Sequence, residues 1–168
     1  HFSVSATTRP PRAHERDGVD YHFLSAEQFE QGIAEGAFAE YEEVYPGRFY
    51  GTPHAEIARA AAAGARGLLL DLDVRGALRV RQAYPETSRA VFVAPPSPDV
   101  LAERLRARGT ETAASLAARL ERARLEMTYA DAFDHVVVND DLERAAEELL
   151  GFARAFLVNS AAGARSEA

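Results

Sequence analysis

Hydrophobic and polar residues alternate along the second half of the chain between short apolar runs and amphipathic segments. Apolar runs with the length of buried strands occupy residues 66–73, 89–94 and 135–138. Helical spacing of apolar residues predicts helices at 74–84, from 97 to 109, at about 113–129 and from 142 to about 158. Because strands alternate with helices, we predict an α/β fold with a parallel sheet and helices packed on it.

The first half of the chain has shorter patterns. Strands are predicted at 2–5 and 20–24, and as two short strands within 38–50 on either side of a Pro46-Gly47 turn. Ser25 and Gln28 have the spacing of a capping box, which predicts that a helix begins there. Thr52 followed by Pro53 predicts another helix start, with threonine as the cap.

Candidate binding residues follow each of the three apolar runs in the second half. They are Asp71, Asp73, Pro95, Asn139 and Asp140. In parallel sheets the binding crevice lies outside the carboxyl ends of the strands. The sequence therefore predicts a binding site formed by these residues.

Two arginines near the start of the chain form a candidate anion site. Arg9 and Arg12 follow a run rich in hydroxyl groups, and Pro10 and Pro11 keep the backbone between them extended. Guanidinium groups are planar forks that match phosphate oxygens. The same segment is also compatible with a solvated loop or with a proline-rich ligand for an SH3-like groove.

Asp71 and Asp73 form a candidate acidic site. In a strand, residues two apart have side chains on the same face, so both carboxylates would face one ligand. Such a pair suits a Mg²⁺–phosphate site or hydrogen bonding to a polar ligand. A strand end that simply meets solvent is the alternative interpretation.

Three glutamates lie among the aromatic residues of the predicted hairpin. A carboxylate of Glu40, Glu42 or Glu43 could accept two hydrogen bonds from a planar donor pair. Guanine presents such a pair at its N1–H and exocyclic amine, whereas adenine does not. An ordinary acidic hairpin is the alternative, and the local sequence does not distinguish among the three glutamates.

Arginines are concentrated on the predicted helices of the second half. The candidates are Arg104, Arg106, Arg108, Arg119, Arg122 and Arg124. Phosphoryl transfer needs fixed positive charge on the transferring group, and arginine supplies it. Because several glutamates lie nearby, we expect most of these arginines to belong to solvated faces and two or three to take part in chemistry.

Composition excludes several classes of function. The chain has 168 residues, which is the size of one domain, and a net charge of −7, so generic binding to nucleic acid is not expected. It contains no cysteine, which excludes disulfides and fits a cytoplasmic location. No apolar run is long enough to span a membrane. The five histidines lack metal-ligand spacing, and no nucleophile elbow is present.

In order along residues 2 to about 157, these motifs resemble those of guanylate kinases. The matching segments are FSVSATTRPPR at 2–12, DGVDYHF at 17–23, FYGTP at 49–53, LDLDVRG at 70–76, APPS at 94–97, RGTE at 108–111 and VNDD at 138–141. The resemblance implies a P-loop NTPase-like α/β fold of the nucleoside-monophosphate kinases, with a parallel core sheet and helices on both faces. It also implies phosphorylation of GMP to GDP by ATP with Mg²⁺.

The resemblance implies a role for each matching residue. GMP would be held by Ser5, Arg9, Arg12, Tyr21, Glu40, Tyr50, Thr52 and Asp73, with the arginines and tyrosines on its phosphate and Glu40, Thr52 and Asp73 on its base. Asp71 would lie near Mg²⁺ and the phosphates, Arg104, Arg108 and Arg119 would close over ATP, and Asn139 would lie by the adenine. The choice of Glu40 over its two neighbours rests on the resemblance alone.

By the same resemblance, residues 1–168 form one domain in which 6–53 are a GMP-binding insertion and 97–130 a lid. One departure is large: the sequence has no lysine and no G-x-x-x-x-G-K-[ST] loop, which would cradle the ATP phosphates. Either the chain is a fragment of a complete enzyme, or it is a non-catalytic module of the family that binds phosphorylated peptides. The intact GMP and lid motifs favour the fragment, which by itself we expect to be inactive.

Overall fold

In the computed structural model, which describes residues 1–107 and 112–166, the elements of the chain divide into two units, His1–Tyr84 and Pro85–Ala168. The first unit contains β1 (Ala6–Thr7), β2 (His22–Phe23), α1 (Ala26–Ala34), β3 (Phe38–Tyr45), β4 (Arg48–Pro53), α2 (His54–Ala62) and α3 (Val74–Ala83). The second contains β5 (Val91–Ala94), α4 (Pro98–Ala107), α5 (Ala113–Met127), a 3₁₀ turn (Ala130–Ala132), β6 (His135–Val138) and α6 (Leu142–Ser166). None of the described helices is both long and apolar enough to cross a membrane.

A mixed four-stranded sheet organises the first unit. Its strand order is β2-β1-β4-β3, with β1 parallel to β2 and the β1/β4 and β3/β4 pairs antiparallel. The β3–β4 hairpin turns at Pro46-Gly47, where Gly47 has a φ of 71°, as the sequence predicted. Because β4 lies between β1 and β3, residues of the N-terminal segment and of the hairpin are brought close together.

Helix α1 covers this sheet with aromatic side chains. Phe29 is fully buried and its ring stacks on Phe38, with 4.4 Å between the ring centroids, and Phe49 lies 5.5 Å away. The predicted capping box is confirmed, since the Ser25 side chain accepts from the backbone of Gln28 and the Gln28 side chain accepts from the backbone of Ser25. The aromatic cluster therefore fixes the helix against the hairpin that carries Glu40.

Buried Glu56 on α2 ties this helix to the N-terminal segment and β2. Its carboxylate accepts from the backbone N–H of Val4 at 2.9 Å, from His22 Nε2 at 3.2 Å and from the Arg59 guanidinium. Burial opposes ionisation, but these donors outweigh it and lower the pKa of Glu56 to about 2. The sequence offered no sign of this residue because its partners are 34 and 52 positions away.

We expect Glu56→Gln to lower the free energy of unfolding at neutral pH by about 1.5–3 kcal/mol, because charge-assisted hydrogen bonds are lost. A lowered pKa in the folded state stabilises the protein above the ordinary pKa of about 4.5 and stops doing so as the pH falls through about 2. The difference between wild type and variant should therefore shrink from pH 4.5 to pH 2 in denaturant titrations. Exposed Glu30→Gln is the control, and an equal loss there would contradict the assignment.

In the second unit, β5 and β6 pair in parallel, from Val91 opposite His135 to Ala94 opposite Val138. Val137 is buried, and the Phe92 and Phe133 rings make an edge contact at 5.2 Å. The backbone N–H of Asn139 donates to the carbonyl of Ala94 at 2.8 Å, so the two strands end side by side. Helix α6 extends beyond the predicted end near Val158 to Ser166.

Three local predictions were wrong. Leu68 to Leu70 form only one parallel bridge, between Leu69 and Phe2, and Leu69 is 52% exposed rather than buried. Thr52 is not a helix cap: it lies in β4, and Pro53 occupies the cap position of α2. The strand predicted at 2–5 lies instead at Ala6–Thr7. In each case pairing with a distant segment decides the backbone state, which short-range patterns do not encode.

Candidate functional site

Glu40 and Thr52 face each other across the β3–β4 hairpin, and Glu40 lines a cavity. They are register partners, and Thr52 Oγ1 donates to Glu40 Oε1 at 2.8 Å. Thr52 is fully buried and Glu40 is 6% exposed. Burial raises the pKa of Glu40, nearby Asp73 raises it further, and the Thr52 hydrogen bond acts in the opposite direction. In this environment, additional hydrogen-bond donors would stabilise the ionised form of Glu40.

The beginning of α3 places a second carboxylate beside Glu40. Asp73 caps the helix, and its Oδ1 accepts from the backbone N–H of Gly76 at 2.8 Å. A Cβ atom at Gly76 would lie 2.8 Å from Glu40 Oε2 and 3.0 Å from Asp73 Oδ1. Glycine therefore lets the helix approach both carboxylates closely.

The cavity has a volume of about 190 Å³ and lies within the first unit. Its walls are Ser5, Tyr21, Glu40, Glu42, Val44, Tyr50, Gly51, Asp71, Leu72 and Asp73. Six of these were predicted site residues. Thr52, also predicted, does not line the cavity but donates a hydrogen bond to Glu40. Residues separated by up to 68 positions thus line one cavity.

Glu42 and Glu43, the two alternatives to Glu40, have other surroundings. Glu42 lines the cavity, but its carboxylate pairs with Arg75 at 3.3 Å and with Arg79 at 2.5 Å. Glu43 is exposed, and its Oε1 accepts from the backbone N–H of Gly47 at 2.7 Å. Glu40 therefore differs from Glu43 because it is buried at the cavity. It differs from Glu42 because the described contacts include no arginine paired with its carboxylate.

Two tyrosines, Tyr21 and Tyr50, also line the cavity. The rings of Tyr21 and Tyr50 meet edge to face with centroids 6.0 Å apart, and the Arg9 guanidinium lies 5.3 Å from the Tyr21 ring. Burial raises the pKa of Tyr21, and the negative charge of Asp71 raises it further. The Tyr21 hydroxyl is therefore protonated at neutral pH and can donate a hydrogen bond into the cavity.

The arginine loop lies beside these tyrosines. Arg9 forms a two-point pair with Glu15, with Nη1–Oε2 and Nη2–Oε1 distances of 2.9 and 2.8 Å. Arg12 is more open: 45% of its side chain is exposed and its Nη1 lies 3.5 Å from Glu15 Oε1. The Arg9 pair lowers the pKa of Glu15 to about 2. Glu15 was not predicted as a site residue, although its spacing after two arginines was a usable signal.

The second unit holds the remaining predicted residues. Arg104 on α4 donates to the backbone carbonyls of Asn139, at 2.7 Å, and Asp140, at 3.3 Å. Arg119 lies on α5, whereas Arg108 is outside the described residues. As expected, other arginines pair with glutamates on the same helix, Arg122 with Glu126 and Arg124 with Glu121.

Groups of three or more histidine, aspartate or glutamate side chains that could hold a metal ion are absent from residues 1–107 and 112–166. Asp71 is exposed at the cavity wall, where it could meet a Mg²⁺ ion as a single carboxylate. This fits the usual mode of Mg²⁺, which keeps several waters and binds through one or two carboxylates and substrate phosphates.

Comparison with known proteins matches this chain to one family. A family model described as guanylate kinase matches residues 1–155. Guanylate kinases of Salinibacter ruber and Chlorobium luteolum are each 54% identical to it, over 93% and 89% of this chain and 82% and 75% of theirs. The crystal structure of guanylate kinase from Anaplasma phagocytophilum has a TM-score of 0.77 and 33% identity, covering 92% of this chain and 74% of that one. The similarity confirms the predicted α/β fold.

Proposed function

Since the chain belongs to the guanylate kinase family, we propose that it transfers a phosphoryl group from ATP to GMP and that the cavity of the first unit holds GMP. The observation that carries this assignment is the buried Glu40–Thr52 pair. Glu40 lines the same cavity as Tyr21 and Tyr50, and Arg9 lies beside the Tyr21 ring. GMP has the matching chemistry, with a donor pair on its base and a dianion at its other end. This reaction needs positioning and charge rather than a covalent nucleophile.

For the base, we assign guanine recognition to Glu40, Asp73 and Thr52. The Glu40 carboxylate would accept from guanine N1–H and the exocyclic amine, and Asp73 lies beside it. Thr52 orients Glu40 through its hydroxyl. Adenine would leave this buried acceptor without donors. Buried polar groups that a wrong ligand leaves unpaired give the steepest discrimination between bases.

For the phosphate, we assign recognition to Arg9, Arg12, Tyr21 and Tyr50, with Ser5 on the same wall. Arginine forks bind phosphate oxygens in pairs, and the tyrosine hydroxyls add neutral donors. Arg12 is the more available arginine because its side chain is largely exposed. The phosphate would therefore bind where the loop meets the two aromatic rings.

For ATP, we propose that Arg104, Arg108 and Arg119 neutralise phosphate charge and that Asn139 contacts the adenine. Mg²⁺ bound to ATP would supply charge on the phosphate oxygens, with Asp71 as its nearest carboxylate. We further propose that 6–53 act as the GMP-binding insertion and 97–130 as the lid. A cytoplasmic location is proposed from the absence of cysteine.

The assignment is tested by coupled ADP-release assays on the full-length gene product with GMP, AMP, CMP and UMP as acceptors. We expect release with GMP to exceed release with each other acceptor by at least about tenfold, since a site with buried polar groups rejects bases that leave them unpaired. Equal rates with AMP and GMP would overturn the proposed function.

We expect Arg12→Ala to weaken GMP binding by about 1.5–3 kcal/mol while binding of guanosine changes little, because only the phosphate loses a partner. Calorimetry with both ligands measures the difference. Arg16→Ala, an exposed arginine of the same loop, is the matched control. Equal losses for GMP and guanosine would reject the phosphate assignment.

A further inference from the structure

Glu15 is a buried carboxylate within an otherwise polar and exposed loop. Only 6% of its side chain is exposed, although both neighbours along the chain, His14 and Arg16, are exposed. Burying an ionised group is unfavourable unless it is paired and hydrogen-bonded. The contacts of Glu15 must therefore offset a considerable desolvation cost.

These contacts join the two arginines of the loop. Both carboxylate oxygens accept from the Arg9 guanidinium, and Oε2 also accepts from the backbone N–H of Arg12 at 2.7 Å. The backbone N–H of Glu15 in turn donates to the carbonyl of Arg12 at 3.0 Å. One side chain thus fixes the guanidinium of Arg9 and the backbone position of Arg12.

The guanidinium of Arg9 has further contacts besides Glu15. Its Nη1 also donates to the carbonyl of Pro10 at 2.7 Å, and its flat face lies against the Tyr21 and Phe23 rings. These hydrogen bonds use three of the five N–H groups of the fork. Arg9 also interacts through a hydrogen bond with the side chain of Tyr50.

The rest of the loop is fastened to the β3–β4 hairpin. Thr7 Oγ1 donates to the carbonyl of Phe49 at 2.9 Å, and Thr8 Oγ1 donates to the carbonyl of Gly47 at 3.2 Å. Arg9 N–H donates to Thr7 Oγ1 at 3.1 Å. Because the same hairpin carries Glu40, the loop and the base-facing carboxylate share one support.

If only charge mattered, a glutamate at position 15 would weaken phosphate binding. Two guanidinium groups attract a phosphate dianion more strongly without a carboxylate between them. The carboxylate of Glu15 weakens this attraction. It favours phosphate binding only if it also holds the arginines in place, because a preorganised site does not have to be ordered when the ligand binds. The two effects predict opposite results when the charge of Glu15 is removed.

We propose that Glu15 is a positioning residue for the GMP phosphate: it holds Arg9 and Arg12 in the geometry that receives the phosphate and does not touch the ligand itself. This inference rests on the proposed function of the cavity. It assigns to Glu15 a role in substrate affinity that is separate from the stability of the fold.

The test compares Glu15→Gln, Glu15→Asp and the exposed control Glu30→Gln in the full-length gene product. We expect Glu15→Gln to raise KM for GMP by about 10- to 100-fold, the range that follows from misplacing a binding group by about an ångström. KM for ATP and the affinity for guanosine should stay within about twofold, and kcat should change less than KM. Glu15→Asp keeps the charge and should recover part of the loss.

Each other outcome overturns the inference. Unchanged or tighter GMP binding in Glu15→Gln would identify Glu15 as a mere counter-charge. Parallel losses for GMP and guanosine, or a loss in Glu15→Asp as large as in Glu15→Gln, would identify a general structural role. Failure of the proposed function is recognised separately, because the wild-type protein would then show no GMP-dependent ADP release.

Discussion

Glu40→Gln is expected to weaken GMP binding by a factor of about 10² or more while AMP binding changes much less. The glutamine amide presents an N–H₂ donor to the donor pair of guanine, so two charge-assisted hydrogen bonds are lost, each worth about 1.5–3 kcal/mol. Every 1.4 kcal/mol corresponds to about tenfold in affinity. Calorimetric titration with GMP and AMP measures both changes.

The fold should not suffer from this substitution. Burial raises the pKa of Glu40, which means that the ionised form is unfavourable in the folded protein without ligand. A neutral amide removes that cost and can still accept from Thr52, so the free energy of unfolding should be unchanged or higher. Loss of GMP binding without loss of stability would separate recognition from folding.

Glu43→Gln is the matched control because Glu43 lies three residues along the same strand but is exposed. Its amide oxygen can still accept from Gly47, and we expect GMP binding to be unchanged. If Glu40→Gln keeps the full preference for GMP over AMP, the base is read elsewhere. Glu42 would then be the candidate, since it also lines the cavity.

The choice among the three glutamates shows what the sequence contained and what it lacked. Side chains alternate between the two faces of a strand, so Glu40 and Glu42 share a face and Glu43 lies on the other. The hairpin was predicted, but this alternation alone does not say which of the two faces meets a ligand. The pairing of Glu42 with Arg75 and Arg79 could not be predicted, because it depends on how α3 packs against β3.

The remaining site residues differ in how well the sequence predicts them. The arginine loop, the tyrosines and the two aspartates were found through residue type and the resemblance, since their chemistry is visible in the side chains. Glu15 and Glu56 were missed because a glutamate in a polar segment looks like a solvated charge. The donors of Glu56 from Val4 and His22 are 52 and 34 positions away, which no local pattern records. By contrast, the arginines that pair with Glu15 are only six and three residues before it.

Gly76→Ala is the second substitution with a large expected effect, although glycine has no side chain to contact a ligand. The added Cβ would meet Glu40 Oε2 at 2.8 Å and Asp73 Oδ1 at 3.0 Å, distances that real Cβ atoms avoid. Both atoms are ends of side chains, so the carboxylates can move while the backbone stays. We expect GMP affinity to fall by about 10- to 100-fold, because both base-reading groups are displaced together.

The free energy of unfolding should change little compared with GMP affinity, and this difference makes the prediction specific. Alanine is favoured over glycine inside a helix by about 1 kcal/mol, so Gly76→Ala should not lower the free energy of unfolding by more than the cost of moving two side chains. Gly151→Ala on α6 is the control, since no described atom lies within 4 Å of its added Cβ and only the helix preference changes. It should keep wild-type GMP affinity. Calorimetry that finds unchanged GMP binding in Gly76→Ala would show that Glu40 and Asp73 do not read the base from their present positions.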